Sequence, residues 1–274
     1  MDRGDREGKS ELSTNGVMRI AAVGDVHCGK ASRADLRELF SRASAEADVL
    51  LLVGDLTNYG TPEEFETLAR ELEGRGRTPT LAVLGNHDFE TDQQVEGRRI
   101  LEQAGVTVLD GESIEIEGVG FAGAKGFVGG FGRRELTPWG ESSLKALVQE
   151  TVQEALKLEQ ALSRLRTDQR VVLLHYAPIQ ATIQGEPLEI APFMGSSRLE
   201  EPIDRYRASV VFHGHAHHGS PEGETKGKVP VYNVAMPLLR QHFPDRPPYR
   251  LYEVPRPAAA TVASRGPGSG AVGA

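Results

Sequence analysis

Aspartate, asparagine and histidine residues recur along the chain in five short groups. The groups are Asp25-Val26-His27, Gly54-Asp55, Gly85-Asn86-His87-Asp88, His175 and Gly214-His215-Ala216-His217. Together they offer carboxylate and amide oxygens and imidazole nitrogens but no sulfur, a ligand set that suits Mn²⁺, Fe or Zn²⁺. Two ions that share a bridging carboxylate need about seven or eight ligand positions, so the number of ligands favours a two-metal site.

Each group directly follows a short apolar segment that is predicted to be a β-strand. These segments are Met18–Val23, Val49–Val53, Thr80–Leu84, Val171–Leu174 and Val210–Phe212. In open α/β sheets, ligands bind outside the carboxyl ends of the strands. The five groups are therefore expected to converge on one site. A single Gly-Asp pair or an isolated histidine occurs easily by chance, whereas five such groups in order, each after a strand, do not.

Amphipathic helices are predicted between the first three strands, at Asp35–Ala47 and from Thr61 onward, and after the third strand at Val95–Ala104. The second helix is predicted to begin at the capping pattern Thr61-Pro62-Glu63-Glu64. Alternating strands and helices of this kind favour a parallel sheet that is covered on both faces. The pattern then changes. Segment 114–122 shows strand alternation, 141–165 predicts a long amphipathic helix, and strands are predicted at 229–234 and 249–254.

The composition is that of an ordinary globular protein, with 39% hydrophobic and 26% charged residues in 274. We expect one domain over 18–254, between disordered tails at 1–17 and 255–274. The formal charge of −8 disfavours a nucleic-acid partner. The lone cysteine, Cys28, excludes an internal disulfide and is interpreted as a buried thiol. No membrane span or export signal is recognised, so a cytoplasmic location is predicted and a homo-oligomer is left open.

The ordered motifs D-x-H, G-D, G-N-H-[DE], H and G-H-x-H, found here between Asp25 and His217, resemble the signature of the calcineurin-like metallophosphoesterases. The resemblance implies an α/β fold, a four-layer α/β/β/α sandwich of two mixed β-sheets flanked by helices. It implies a dinuclear metal site at one edge, holding Mn, Fe or Zn ions. It further implies hydrolysis of a small-molecule phosphodiester through attack by a hydroxide that bridges the metals.

The same resemblance implies a role for each motif residue. It implies two ligand sets, namely Asp25, His27 and His217 for one metal ion, and Asn86, His175 and His215 for the other. Asp55 is expected to bridge the two ions. His87 is expected to face the substrate phosphate and to stabilise its charge or protonate the leaving oxygen. Asp88 is expected to orient His87 from behind.

The substrate is less well specified by the sequence. Leu56-Thr57-Asn58-Tyr59 follows Asp55, whereas the protein phosphatases of this superfamily have Val-Asp-Arg-Gly there. Gly-Asp-Leu, the nearby Gly60 and Gly-Asn-His-Asp resemble the bacterial class III cyclic-nucleotide phosphodiesterases more closely. A small-molecule phosphomonoesterase, a nuclease and, most distantly, a non-catalytic metal-binding scaffold are the alternatives.

Two long insertions, at about 125–138 and 177–198, are predicted to shape the substrate site. In the first, Lys125, Arg133 and Arg134 are candidates to bind a second phosphate or a nucleotide, and the alternative interpretation is a solvated basic loop. No role is assigned to His213, His218 or His242.

Overall fold

Eleven strands and six α-helices occur in the computed structural model, which describes residues 16–31 and 34–257. The strands are β1 (Val17–Val23), β2 (Val49–Val53), β3 (Thr80–Val83), β4 (Val106–Val108), β5 (Glu112–Ile116), β6 (Val119–Gly123), β7 (Gln169–Leu173), β8 (Val210–His213), β9 (Glu222–Glu224), β10 (Pro230–Asn233) and β11 (Arg250–Pro255). The helices are α1 (Ala34–Glu46), α2 (Pro62–Leu72), α3 (Gln94–Gln103), α4 (Ser142–Arg164), α5 (Glu200–Arg205) and α6 (Met236–His242).

The strands form two mixed sheets. The first has the order β11-β1-β2-β3-β4, in which β1 to β4 are parallel and β11 is antiparallel to β1. The second has the order β5-β6-β7-β8-β10-β9, with four parallel central strands and an antiparallel strand at each edge. The parallel centre of each sheet brings several carboxyl strand ends to one edge, which is where the predicted ligands lie.

Three layers of apolar side chains hold the fold together. Between the sheets, Met18 and Leu51 pack in one cluster with Phe121 and Phe212. The outer face of the first sheet packs against α1, α2 and α3 through residues such as Phe40. On the second sheet, α4 and α5 pack through the buried residues Leu158, Leu162 and Ile203. The predicted four-layer α/β/β/α sandwich is therefore confirmed.

Sequence and structure differ in the short elements and at the tails. The sequence patterns did not indicate β4, β9, α5 or α6, each of which has seven residues or fewer. Most of both predicted disordered tails lies outside the described residues. However, Val17 and Pro255 were assigned to the tails, and they pair with each other at the end of the β1–β11 ladder. None of the helices within 16–31 and 34–257 has the length and apolar character of a membrane span.

Candidate metal centre

The predicted ligand groups of both sheets meet at one edge of the sandwich. The loop after β1 follows the loop after β2, because the backbone N–H groups of Asp25 and His27 donate to the carbonyls of Gly54 and Asp55 at 2.9 and 3.1 Å. The second sheet joins through the backbone N–H of His215, which donates to both Asp25 carboxylate oxygens at 3.0 and 3.1 Å. The predicted convergence of the strand ends is thus observed in the structure.

Four of the predicted ligands have backbone φ angles in the left-handed region. The values are +56° for Asp25, +44° for His27, +47° for Asp55 and +70° for His215. Non-glycine residues adopt this conformation at a cost of roughly 1–3 kcal/mol, and such residues concentrate at functional sites. The strained loops aim these four side chains at a common centre, which indicates a functional constraint at this edge.

Three overlapping clusters of ligand atoms lie side by side, and the cluster of His27, Asp55 and His87 joins the other two. Ligand atoms of Asp25, His27 and His217 lie within 4.8 Å of one another, and the same is true of Asp55, His175 and His215. Asp55 Oδ2 is 3.9 Å from His27 Nε2, whereas Asp55 Oδ1 is 3.3 Å from His175 Nε2. One carboxylate therefore faces both clusters, as a bridging ligand must.

Hydrogen bonds to backbone carbonyls fix the protonation of two imidazoles. His175 Nδ1 lies 3.3 Å from the Val53 carbonyl, and His215 Nε2 lies 3.1 Å from the Phe193 carbonyl. A carbonyl can only accept, so each of these nitrogens carries the proton and the other ring nitrogen is left with a lone pair. This is the arrangement usual in metal-binding histidines.

The lone pair of His175 Nε2 faces other electron-pair donors. Asn86 Oδ1 lies 2.8 Å away and Asp55 Oδ1 lies 3.3 Å away, and the imidazole has no second proton to donate. A cation among these atoms would satisfy all of them at once. The donor set of nitrogens and oxygens without sulfur therefore fits metal ions such as Mn, Fe or Zn.

His87 lies at the open side of the site. Its Nδ1 is 2.8 Å from the Asn58 carbonyl, its Nε2 is 4.0 Å from Asp55 Oδ2, and its side chain is 37% exposed. The ring also contacts that of His27 edge-on, with the centroids 4.8 Å apart. A substrate could therefore reach Nε2, while the Asn58 carbonyl holds the proton on Nδ1.

Asp88 was expected to orient the His87 ring, but the Asn58 carbonyl holds that ring instead. The buried Asp88 carboxylate instead accepts hydrogen bonds from the backbone N–H groups of Gly85, Leu56 and Thr57 at 2.8, 3.1 and 2.9 Å. It also accepts from the Thr57 hydroxyl at 2.6 Å. Asp88 thus joins the loop after β2 to the turn after β3 and positions Asp55 and His87 through the backbone.

Several positioning residues were not predicted from the sequence. The buried His213, to which no role was assigned, lies with Nε2 2.8 Å from Thr182 Oγ1. The Asn233 side-chain amide donates to the Ala216 carbonyl at 2.7 Å. These contacts fix the loop that carries His215 and His217. The Tyr176 ring packs against His215 and His175 on the other side, with centroid distances of 4.5 and 5.3 Å.

The three basic residues that were expected to bind substrate do not lie together. The Lys125 ammonium donates to the Gly126 carbonyl at 2.9 Å. It also lies 4.6 to 5.5 Å from the ring centroids of Phe127, Tyr176 and Phe89. Burial lowers the pKa of this lysine. Arg133 and Arg134 are exposed instead and line a cavity whose described lining residues include none of the predicted metal ligands.

Protons compete with metal ions for the first cluster. Burial raises the pKa of the Asp25 carboxyl to about 6, although the hydrogen bond from His217 opposes the rise. The same hydrogen bond raises the pKa of His217 above its usual value. Ions bind the deprotonated groups, so we expect metal affinity to increase as the pH rises from 5 to 8. Below the pKa, each released proton gives about a tenfold gain in affinity per pH unit. Mn²⁺ titration by calorimetry at several pH values tests this, and a pH-independent affinity would contradict it.

Gly54 gives a second prediction because it lies against a predicted ligand. Its φ is +83°, and a Cβ added there would lie 2.3 Å from His175 Nδ1. Gly54→Ala is therefore expected to displace His175 and to weaken Mn²⁺ binding by about tenfold or more, the scale of losses from disturbed ligand support. Gly76→Ala is the matched control, since Gly76 has φ +64° with no atom within 4 Å of the added Cβ. Equal Mn²⁺ affinities for the two variants in calorimetric titrations would refute this interpretation.

The fold and the site are those of a metal-dependent phosphoesterase, and the comparison with known families identifies the family. The chain belongs to the calcineurin-like phosphoesterase family, whose sequence pattern matches residues 18–219. Members of this family use two metal ions. The family named in the sequence analysis is therefore confirmed.

Individual relatives are distant. A Bos taurus protein named "Transmembrane protein with metallophosphoesterase domain" is 25% identical over 178 residues, which cover 62% of this chain and 38% of that protein. The chain thus matches less than half the length of this curated relative. The crystal structure of phosphopantetheinyl hydrolase from Mycobacterium tuberculosis aligns with a TM-score of 0.62 at 14% identity, over 85% of this chain and 95% of that one. TT1561 from Thermus thermophilus aligns with a TM-score of 0.52 at 14% identity, over 81% and 91%. At these identities the structures support the fold alone.

Proposed function

We propose that this protein is a dinuclear metal-dependent phosphodiesterase that acts on a small phosphoester. The observation that carries the proposal is the position of Asp55, whose two carboxylate oxygens face His27 and His175 in adjacent ligand clusters. Asp25 and His217 complete one cluster, and Asn86 and His215 complete the other. Metal ions bound there would supply a nucleophile at neutral pH and positive charge close to the phosphoryl oxygens.

His87 is proposed to handle the proton of the reaction. The Asn58 carbonyl keeps a proton on Nδ1 and fixes the ring plane, so that Nε2 is the atom presented to the substrate. When Nε2 is protonated, it can stabilise charge on the phosphoryl group or donate its proton to the leaving oxygen. General acid catalysis of this kind contributes about 10²–10⁴-fold in rate. Asp88 supports it indirectly, by fixing the two loops that carry Asp55 and His87.

The preference for a diester rests on the loop after β2. It reads Gly-Asp-Leu-Thr-Asn-Tyr-Gly, which lacks the Val-Asp-Arg-Gly of protein phosphatases and resembles the class III cyclic-nucleotide phosphodiesterases. The net charge of −8 disfavours a nuclease acting on long duplexes. A phosphomonoesterase of small molecules is the main alternative. The cytoplasmic location and a homo-oligomeric state stay predictions.

The proposal is tested by the turnover of bis-p-nitrophenyl phosphate and p-nitrophenyl phosphate by the Mn²⁺-loaded protein, measured side by side. A clear preference for the diester is expected. Preference for the monoester would replace the proposal with a small-molecule phosphatase. Failure to hydrolyse either compound, with metal shown to be bound, would replace the hydrolase assignment with the metal-binding scaffold, and failure to bind metal would overturn the dinuclear site itself.

A further inference from the structure

The two insertions, 125–138 and 177–198, are joined by backbone hydrogen bonds. The backbone N–H of Gly129 donates to the Pro192 carbonyl at 2.9 Å, and that of Gly130 donates to the Gly195 carbonyl at 2.8 Å. The Ser197 N–H returns a hydrogen bond to the Gly130 carbonyl at 3.1 Å. The two segments therefore pack together and can line one cavity jointly.

A cavity of about 550 Å³ lies where the insertions meet. Its lining includes Arg133, Arg134, Gln180, Leu188, Ala191 and Pro192, and none of the described residues that line it is acidic. It thus combines cationic and apolar groups. A volume of this size falls within the range of small-molecule sites, which are roughly 300–1,000 Å³.

The charges of the two arginines are not neutralised by neighbouring acids. Across residues 16–31 and 34–257, neither Arg133 nor Arg134 forms an ion pair or a side-chain hydrogen bond, and the nearby Glu135 lies 3.7 Å from Arg198 instead. Guanidinium groups bind phosphate oxygens with paired N–H donors. In a chain with a net charge of −8, two adjacent unpaired guanidinium groups favour an anionic ligand at this position.

Apolar side chains lie exposed beside the arginines, in a segment that also reaches the metal centre. Leu188, which lines the cavity, is 82% exposed, and Phe193, the residue after the cavity-lining Pro192, is 54% exposed. The carbonyl of Phe193 lies 3.1 Å from His215 Nε2, and the preceding residue, Pro192, lines the cavity. A molecule that contacts Pro192 in this cavity would therefore lie next to Phe193, whose carbonyl supports the predicted metal ligand His215.

We propose that this cavity is a substrate subsite for a phosphodiester whose body is apolar and carries a second phosphate. The apolar body would lie against Leu188 and Pro192, and the second phosphate would bind Arg133 and Arg134. The diester itself would lie at the metal centre beside His87. This inference rests on the proposed phosphodiesterase activity and adds the chemical class of the substrate.

Two p-nitrophenyl diesters test the subsite. One is the p-nitrophenyl ester of thymidine 5′-phosphate, and the other is the same compound with an additional 3′-phosphate. The unmodified protein is expected to prefer the 3′-phosphorylated compound in kcat/KM by about tenfold, the scale of one charge-assisted hydrogen bond. In the double variant Arg133→Ala, Arg134→Ala this ratio is expected to approach one. Arg77→Ala, at an exposed position before β3, is expected to keep the ratio of the unmodified protein.

A further variant tests the apolar part of the subsite. Leu188→Gln is expected to lower kcat/KM for both thymidine compounds, whose thymine ring face and methyl group would lie against Leu188, severalfold more than for methyl p-nitrophenyl phosphate, which has no such group. Equal kcat/KM values for the two thymidine compounds, unaffected by the arginine substitutions, would refute the subsite while leaving the phosphodiesterase intact. Failure to release p-nitrophenolate from any of the diesters would instead refute the proposed function on which the subsite depends.

Discussion

Asp55→Asn is expected to remove metal from the protein and to lower kcat/KM by about a thousandfold or more, equivalent to roughly 4 kcal/mol of transition-state stabilisation. The Asp55 side chain faces both ligand clusters, with oxygens 3.9 Å from His27 Nε2 and 3.3 Å from His175 Nε2. Asparagine preserves the size but removes the charge and one ligand oxygen. Elemental analysis after gel filtration measures the metal content directly.

Asp168→Asn is the matched control for this substitution. Asp168 is exposed and precedes the amino end of β7, at the opposite end of the strand from His175. Its substitution changes the net charge by the same amount but is expected to leave metal content and turnover unchanged. If Asp55→Asn kept two ions per chain, the bridging role of Asp55 would be wrong.

His87→Asn is expected to separate catalysis from metal binding. The His87 side chain is 37% exposed, and its Nδ1 is held by the Asn58 carbonyl at 2.8 Å. Asparagine cannot act as a general acid, so turnover is expected to fall by about 10²–10⁴-fold. The metal content should stay largely unchanged. The loss should be larger for an alkyl ester than for a p-nitrophenyl ester, because an alkoxide needs the proton more than p-nitrophenolate does.

The control for His87 is His242→Asn, which changes an exposed histidine near the end of α6 and is expected to have no effect on turnover. Equal rate losses for the alkyl and p-nitrophenyl esters in the His87 variant would rule out the acid role and leave only charge stabilisation. Loss of metal from this variant would show that His87 is a ligand.

The fold and the ligand groups could be predicted because both depend on local sequence. Short apolar segments such as Val49–Val53 are buried on both faces, as the central strands of a covered sheet must be. Asp25 and Asp55 follow the neighbouring parallel strands β1 and β2 of the first sheet, so the strand direction places them at the same edge. His175 follows β7 of the second sheet, and the packing of the two sheets brings it to that edge. The capping pattern at Thr61-Pro62-Glu63-Glu64 likewise predicted the beginning of α2 at Pro62.

Contacts made through the backbone could not be predicted in this way. The Asn58 carbonyl orients His87, but any residue at position 58 would present a carbonyl, so its sequence carries no signal. Asp88 is identified by its motif, yet two of the N–H groups that it binds belong to residues about thirty positions earlier in the chain. Glu154 is a related case, because it lies in the apolar stripe of α4, fully buried, and accepts the N–H of Gly126 at 2.9 Å.

Anomalous diffraction from crystals of the Mn²⁺-loaded protein tests the central claim most directly. Two anomalous peaks are expected, one among Asp25, His27 and His217 and the other among Asn86, His175 and His215. Asp55 is expected to contact both peaks. A single peak, or peaks away from these residues, would contradict the dinuclear centre on which the proposed function depends.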